Sequence, residues 1–201
     1  VDQMEIRRER AAKEYGCDVY ADYKEILNRD DIDLVVNSLP SNFHFAVTKD
    51  LLEHGFNVLC EKPFVPTVEE YDILVSIAES KGLKLLVFQQ SRFAHYFEKV
   101  KEVIASGELG RIVHIGIQFN NFARRWDWQT LQKKCAGGVY NTGPHPIGLA
   151  LGFLDFDENS RVVYSKLGCA LTSGDSDDFA KIIIDTPNKP LVDIEVTSID
   201  A

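Results

Sequence analysis

The chain has 201 residues, of which 45% are hydrophobic, and its formal net charge is −9 at pH 7. This length suits one large domain or two small ones, while an acidic balance without a basic cluster argues against nucleic acid as a partner, and no apolar run approaches the ~20 residues of a membrane span. The four cysteines (Cys17, Cys60, Cys135 and Cys169) are far apart, with no CxxC pair and no histidine at ligand spacing, so we expect no metal site, no disulfide framework and a cytoplasmic location.

The first half of the chain alternates short apolar runs with helical patterns. Helices are predicted at 5–15, 23–28, 42–54 and 67–82, and three of them stop at the glycines 16, 55 and 82. Strands are predicted at 19–20, 33–39, 57–60 and 84–88. Strands that alternate with helices are typical of βαβ units, so residues 1–92 are predicted to form an α/β domain with a parallel sheet.

The pattern changes after Arg92. One helix at 96–106 is followed by strands at 111–119, 161–170, 178–185 and 191–199, and the turn sequence TPNKP joins the last two as a hairpin. These features predict that residues 93–201 form an α+β domain with a mostly antiparallel, open sheet. Because few helices are available to cover strands that alternate apolar and polar residues, we expect an uncovered apolar face that pairs with a second copy of the chain.

The tripeptide Glu61-Lys62-Pro63 follows the apolar strand at 57–60. In isolation it fits an ordinary strand end with an ion pair. Ligands of open parallel sheets bind beyond the carboxyl ends of the strands, however, and that position favours a functional role. Lys62 is the best candidate for a base, provided that burial or a second cation lowers the lysine pKa from its usual value near 10.

Several motifs along the chain resemble those of the Gfo/Idh/MocA family of nicotinamide-dependent oxidoreductases, in the family order. They are YGCDVYADYKEIL, DIDLVVNSLPSNFHF, GFNVLCEKPF, SRF, SGELGRI and GGVYNTGPHPIG. The resemblance implies a truncated Rossmann-type parallel sheet followed by the α+β domain, whose open sheet often mediates oligomers in this family. It also places the ribose-binding acid at Asp2 and the glycine-rich phosphate turn before Val1, so we expect an internal part of a longer protein, incomplete at both ends.

The resemblance implies a dinucleotide site along the sheet edge. Asp2 favours NAD, because a carboxylate accepts from a ribose 2′-hydroxyl and repels a 2′-phosphate, with NADP as the alternative. Glu61 is expected to bind the cofactor ribose, and the turn before residue 44 offers backbone N–H groups. For His44, local packing in the helix is weighted equally with cofactor contact. The predicted cofactor-binding residues are Asp2, Ser38, Pro40, Asn42, His44, Glu61, Lys62 and Gln90.

The motif NTGPHPIG carries the second predicted catalytic residue, His145. The resemblance implies that His145 shuttles a proton beside Lys62, whereas a lone histidine would more often cap or pack. The flanking prolines predict a helix from Thr142 with Asn141 as its N-cap. Where the family often has Asp, this chain has Asn141, which carries no proton and is left to orient His145 or bind substrate.

The stretch RRWDWQ at 124–129 combines groups that bond sugar hydroxyls with groups that stack on sugar faces. The alternative is a loop that packs its aromatic side chains at a domain or subunit contact. The predicted substrate-binding residues are Arg124, Asp127, Trp128 and Asn141.

The function implied is an oxidoreductase that transfers a hydride between a nicotinamide cofactor and a secondary hydroxyl of a sugar, cyclitol or related polyol. Lys62 and His145 are its expected acid–base pair. Two alternatives stay open, namely an NAD-dependent glycoside hydrolase of the same fold and a non-catalytic, ligand-sensing regulatory relative. The presence of both Lys62 and His145 favours an enzyme over a sensor.

Overall fold

A computed structural model describes residues 1–200, and its first half contains a three-stranded parallel sheet. The strands lie in the order β1-β2-β3, so the carboxyl ends of all three meet at one edge. Their bounds are β1 Leu34–Asn37, β2 Asn57–Glu61 and β3 Leu85–Phe88. The helices of this half are α1 Glu5–Tyr15, α2 His44–Glu53 and α3 Val68–Lys81.

Side chains from α2, β2 and α3 form the core of the first half. Leu51 and Leu52 of α2 pack with Val58 of β2 and Leu74 of α3, and all four are fully buried. Burying one such side chain stabilises a fold by about 1.5–3 kcal/mol. Thr67 fixes the start of α3, because its hydroxyl accepts the Glu70 N–H. The parallel sheet predicted for this half is therefore confirmed.

Two short elements near the start differ from the prediction. Residues 19–20 form no strand. Within residues 1–200 their backbone makes a single backbone–backbone hydrogen bond, which the Asp2 N–H donates to the Tyr20 carbonyl oxygen. The helix at 23–28 is a shorter 3₁₀ turn, Tyr23–Ile26. Asp22 caps it, and the Glu25 side chain reaches back to the Asp22 N–H in a reciprocal capping box.

The second half contains a four-stranded sheet in the order β4-β7-β6-β5. The bounds are β4 His114–Asn120, β5 Arg161–Gly168, β6 Phe179–Asp185 and β7 Leu191–Thr197. β4 runs parallel to β7, and the other two pairs are antiparallel, as expected for a mostly antiparallel sheet. The TPNKP turn joins β6 to β7 as the predicted hairpin.

Helices cover the apolar face of β4, β6 and β7, and that finding contradicts the uncovered apolar face expected for these three strands, whereas β5 is exposed. The helices are α4 His95–Ser106, α5 Gly138–Asn141 and α6 Pro144–Phe153. Phe97 of α4 and Leu149 of α6 pack with the buried apolar residues of β4, β6 and β7. The opposite face is largely polar, since Lys181 there pairs with Asp193 at 2.7 Å and Glu195 at 3.2 Å. Pairing of copies through this sheet stays a prediction.

Contacts between the two halves lie beside the carboxyl edge of the first sheet. The Gln89 amide, just after β3, donates to the Pro144 carbonyl oxygen at the start of α6. The Arg92 guanidinium stacks 4.6 Å from the centre of the Phe156 ring. These contacts bring the start of α6 to the end of the parallel strands. No helix within residues 1–200 is long and apolar enough to cross a membrane.

Candidate active site

Lys62 stands where β2 ends and reaches across to the second half of the chain. Its Nζ donates a hydrogen bond of 2.9 Å to the Asn141 carbonyl oxygen, and the Lys62–Pro63 peptide bond is cis. Burial lowers the pKa of the Lys62 ammonium, and the nearby Arg125 charge lowers it further, while Glu61 opposes both. The two conditions expected for a lysine base, burial and a second cation, are therefore both present.

His145 is the second residue of α6, which begins three positions after Asn141, the residue whose carbonyl oxygen holds Lys62. Its Nδ1 is 3.2 Å from the Ser91 hydroxyl oxygen, and its ring stacks on Phe119 with the centroids 6.5 Å apart. Burial lowers the pKa of the His145 imidazole, the Lys62 charge lowers it further, and Glu61 raises it. Two groups that lie 83 positions apart in sequence thus share one electrostatic environment.

Asn141 ends α5 and does not cap α6, so its predicted N-cap role was wrong. The cap is Gly143, which makes the tight turn between the two helices. A Cβ at position 143 would lie 2.3 Å from the Val139 carbonyl oxygen, and glycine is therefore needed there. Asn141 instead holds Lys62 through its carbonyl group and donates its side-chain amide to the Gln129 carbonyl oxygen at 3.1 Å.

His44 is buried, with only 1% of its surface exposed. One ring nitrogen lies 2.7 Å from the Pro63 carbonyl oxygen and the other lies 2.8 Å from that of Leu39. The buried Asn37 amide donates to Thr48 and to the His44 carbonyl group. This arrangement favours the packing alternative for His44, which ties the loop after β1 to the loop after β2.

The residues at this edge fit a ligand that carries hydroxyl and amide groups. Asn42 Oδ1 is buried without a hydrogen-bond partner within residues 1–200, and a ligand donor would satisfy it. Glu61 and Pro40 are half-buried, whereas Ser38 and Gln90 are exposed at the ends of β1 and β3. A dinucleotide offers the ribose hydroxyls and the carboxamide that such groups would bind.

Asp2 takes part in local contacts at the start of α1. Its carboxylate accepts the Met4 N–H at 2.8 Å and lies 3.4 Å from the Arg7 guanidinium. Arg8 donates to the Asp2 carbonyl oxygen at 2.7 Å. The Met4 hydrogen bond and the Arg7 charge both lower the pKa of the Asp2 carboxyl. Asp2 therefore presents an anionic group with two arginines close by.

A polar cavity of about 140 Å³ lies in the second half of the chain, near Lys62 and His145. Asn141 and Thr142 line it directly, while Lys62 and His145 lie just behind these two residues. A second cavity of about 290 Å³ adjoins it at the ends of β4 and β7. Both are below the ~300–1,000 Å³ of drug-sized ligand sites, which suits a ligand as small as a monosaccharide. Four residues line both cavities: Asn121, Gly138, Thr142 and Ser198.

Only part of the RRWDWQ stretch reaches this cavity. Arg124 and Arg125 line it, whereas Asp127 and Trp128 do not. Asp127 is engaged elsewhere, because it pairs with Arg125 at 2.7 Å and caps the short helix that begins at Trp128. The exposed indole is Trp126, at 75% exposure, and Arg124 stacks over it at 5.8 Å.

The sequence analysis missed three polar residues that the fold brings to this region. Gln89 joins the two halves, and Ser91 contacts His145. Asp177 lines the cavity, and its half-buried carboxyl has a raised pKa because burial disfavours the charge. The Gly-Gly pair before α5 was the available signal, since Gly137 has a φ of 117° and packs directly against Asp177.

A parallel sheet with a lysine and a histidine near its carboxyl edge is an arrangement that fits a Rossmann-fold oxidoreductase. Comparison with known proteins agrees. A family model described as an oxidoreductase family with an NAD-binding Rossmann fold matches residues 1–89, and the GFO/IDH/MocA C-terminal domain matches residues 97–201. The chain belongs to the GFO/IDH/MocA family.

Among curated proteins, the chain is 40% identical over 135 residues to an uncharacterized oxidoreductase of Schizosaccharomyces pombe (strain 972 / ATCC 24843), covering 66% of this chain and 37% of the relative. It is 28% identical over 151 residues to scyllo-inositol 2-dehydrogenase (NADP(+)) IolW of Bacillus subtilis (strain 168), covering 74% and 42%. The crystal structure of an NAD-binding protein from Listeria innocua superposes with a TM-score of 0.90 at 27% identity, covering 98% and 56%. The chain thus spans about half the length of these relatives, or less.

Proposed function

We propose that the whole protein is an NAD-dependent dehydrogenase that oxidises a secondary hydroxyl of a sugar, cyclitol or related polyol. The observation that carries the proposal is the meeting of Lys62 and His145 at the end of the parallel sheet. Desolvation and the Arg125 charge lower the pKa of Lys62, and desolvation and the Lys62 charge lower that of His145. A lowered pKa increases the fraction of Lys62 present as the neutral amine that accepts a proton, and it favours the neutral form of the His145 imidazole.

The proton transfer follows from the contacts of these two side chains. NAD, when bound, supplies the acceptor for the hydride that leaves the substrate carbon. The neutral Lys62 amine keeps one N–H on the Asn141 carbonyl oxygen, which restricts its lone pair to the two remaining tetrahedral directions. That lone pair accepts the substrate hydroxyl proton. His145 is aligned by Ser91 and Phe119 and takes the proton onward from Lys62.

Asn42, Glu61 and Ser38 are the residues we assign to the cofactor, together with the exposed Gln90. For the adenosine end we assign Asp2, whose carboxylate would accept a ribose 2′-hydroxyl and repel a 2′-phosphate. Arg7 lies beside Asp2, and its positive charge would attract a 2′-phosphate. The preference for NAD or NADP therefore depends on the balance between attraction by Arg7 and repulsion by Asp2.

The polar cavity supports a hydroxylated substrate. Arg125 and Gln129 offer donors on one wall, and Asp177 offers an acceptor on another, while hydroxyl groups both donate and accept. The relationship to a scyllo-inositol dehydrogenase supports the same class of substrate. The binding role of Arg124 stays a proposal, and the same holds for pairing of copies through the second sheet.

The test is an assay of the full-length protein with NAD and a panel of scyllo-inositol, myo-inositol, D-glucose and D-xylose, alongside matching methyl glycosides. A dehydrogenase forms NADH in step with substrate loss. Release of free sugar from a glycoside without net NADH would instead identify a glycoside hydrolase. Binding of panel members without any turnover would identify a ligand sensor.

A further inference from the structure

Asp177 contacts the Gly-Gly turn and lines the polar cavity, two residues before β6 begins. Its Oδ2 accepts the Val139 N–H at 2.8 Å, and its backbone carbonyl group accepts the Gly138 N–H at 2.8 Å. Oδ1 receives no hydrogen bond from another residue among residues 1–200. One carboxylate oxygen thus secures the start of α5, and the other is available at a cavity wall.

The two glycines allow this close approach. A Cβ at Gly137 would lie 2.2 Å from Asp177 Oδ1, and one at Gly138 would lie 3.0 Å from Oδ2. Gly137 also has a φ of 117°, a conformation that residues with a side chain rarely adopt. The absence of a side chain at both positions therefore leaves the space that the carboxylate occupies.

The neighbouring Asp178 provides the contrast. It is buried, and its two oxygens accept backbone N–H groups from Ala170, Leu171 and Thr172 at 2.6–2.9 Å. Asp178 is therefore fully used by the fold. Asp177 forms no ion pair within residues 1–200, and burial raises the pKa of its carboxyl, opposed by the N–H groups of Val139, Gly138 and its own backbone. A half-buried carboxylate that no cation compensates is a candidate for ligand binding.

We propose that Asp177 is a specificity-determining residue that accepts a hydrogen bond from a substrate hydroxyl through Oδ1. The inference rests on the proposed polyol dehydrogenase function and identifies one side chain that determines which substrate binds. Asn141 lines the same cavity and holds Lys62 through its carbonyl oxygen. The hydroxyl bound by Asp177 therefore belongs to the same molecule as the hydroxyl that loses its proton, but it is a different hydroxyl.

The substrate class follows from the charge of this wall. A carboxylate accepts hydrogen bonds and repels anions, so Asp177 selects a hydroxyl over a substrate carboxylate at the same position. Arg124 and Arg125 also line the cavity, and Arg125 pairs with Asp127 at 2.7 Å. At the position beside Asp177, a substrate hydroxyl is expected to bind better than a carboxylate.

The test compares Asp177→Asn with Asp175→Asn in the full-length protein. The amide introduced by Asp177→Asn keeps one oxygen for the Val139 N–H and replaces the free oxygen with a donor. Asp175 bonds the Gln132 N–H outside the cavity and serves as the matched control. Hydrogen bonds to charged groups are worth about tenfold to a hundredfold in affinity, so KM for the best panel substrate should rise by that factor. We expect the NADH dissociation constant to change less than about twofold.

A role confined to supporting α5 predicts a different result. Loss of such a support would displace Asn141 and, with it, Lys62. The variant would then have a lower kcat and a shifted pH profile of kcat, with an unchanged KM. For the wild type, a deoxy analogue that lacks the hydroxyl bound by Asp177 should have a KM raised by the same factor as Asp177→Asn raises KM for the parent substrate. For Asp177→Asn, the deoxy analogue and the parent substrate should have the same KM. If Asp177→Asn does not fold, Asp177→Ser is measured in the same way.

Two failures are distinguishable. If the wild-type protein oxidises no member of the panel, the proposed function is refuted and this inference is refuted with it. If the wild type is active and the KM values of Asp177→Asn and Asp175→Asn equal the wild-type value, only the assignment of Asp177 is overturned.

Discussion

Replacement of Lys62 by Met should abolish most turnover while leaving the fold intact. Met is close to Lys in length and flexibility but has no amine, so it removes the base with little change in volume. Within residues 1–200, the one side-chain hydrogen bond lost is the bond from Nζ to the Asn141 carbonyl oxygen. That bond is half exposed, and its loss is offset by relief of the desolvation that lowers the Lys62 pKa. We expect a stability change of about 1 kcal/mol or less.

The expected effect on catalysis is much larger. Loss of a general acid–base group typically lowers the rate by ~10²–10⁴-fold, which corresponds to about 3–5 kcal/mol of barrier. The difference between this figure and the small stability change separates a catalytic role from a structural one. We expect that His145 does not substitute fully, because its imidazole contacts Ser91 and not the Asn141 carbonyl oxygen that orients the Lys62 amine.

The assay is steady-state NADH formation by the full-length protein, with NADH affinity measured by fluorescence titration. Lys99→Met is the matched control, because Lys99 is 72% exposed on α4 and pairs only with Glu102 among the described residues. The control should keep wild-type kcat. A Lys62→Met enzyme with a kcat within about threefold of the wild type would refute the assignment of Lys62 as the base.

Three further outcomes are expected. Arg125→Gln should move the ascending limb of the kcat/KM pH profile to higher pH, because the Arg125 charge helps to hold the Lys62 pKa down; an unchanged limb contradicts this coupling. Gly137→Ala should destabilise the fold by about 1–3 kcal/mol in urea unfolding. That loss of stability should exceed the loss caused by Gly55→Ala, because Gly55 has a φ of 92° but open space around it. Equal losses would contradict the close contact between Gly137 and Asp177. His44→Phe should lose about 1–3 kcal/mol, since the ring nitrogens that contact the carbonyl oxygens of Pro63 and Leu39 are removed, and a change below about 0.5 kcal/mol contradicts a role of His44 in joining the loops after β1 and β2.

Local patterns were sufficient for most of the fold. Gly16 and Gly82 end their helices in the left-handed conformation, and the Thr67 hydroxyl caps α3 as its sequence indicated. The placement of Lys62 at the end of a parallel strand followed from the alternation of strands and helices. These features depend on residues within a few positions of one another, which is the range over which sequence patterns are informative.

The errors in the candidate site concern distant or fine-scale contacts. Asp177 meets the Gly137 turn only because β6 begins beside α5, and no local pattern encodes that approach. Gln89 was missed because its contact is with α6, 55 positions away, while the cofactor-binding role of its neighbour Gln90 stays a prediction. Trp126 rather than Trp128 is the exposed indole, because Asp127 turns the chain into a short helix.

The central claim is that the site formed by Lys62 and His145 removes a hydride and a proton from a substrate alcohol. The most direct test incubates the full-length protein with NAD and scyllo-inositol deuterated at its ring carbons, in parallel with the deuterated forms of the other panel substrates, and measures the mass of the NADH formed. The account predicts NADH that carries one deuterium per turnover with at least one substrate, and loss of this signal in Lys62→Met. Absence of deuterium from NADH with every substrate, or equal labelling by the Lys62→Met variant, would contradict it.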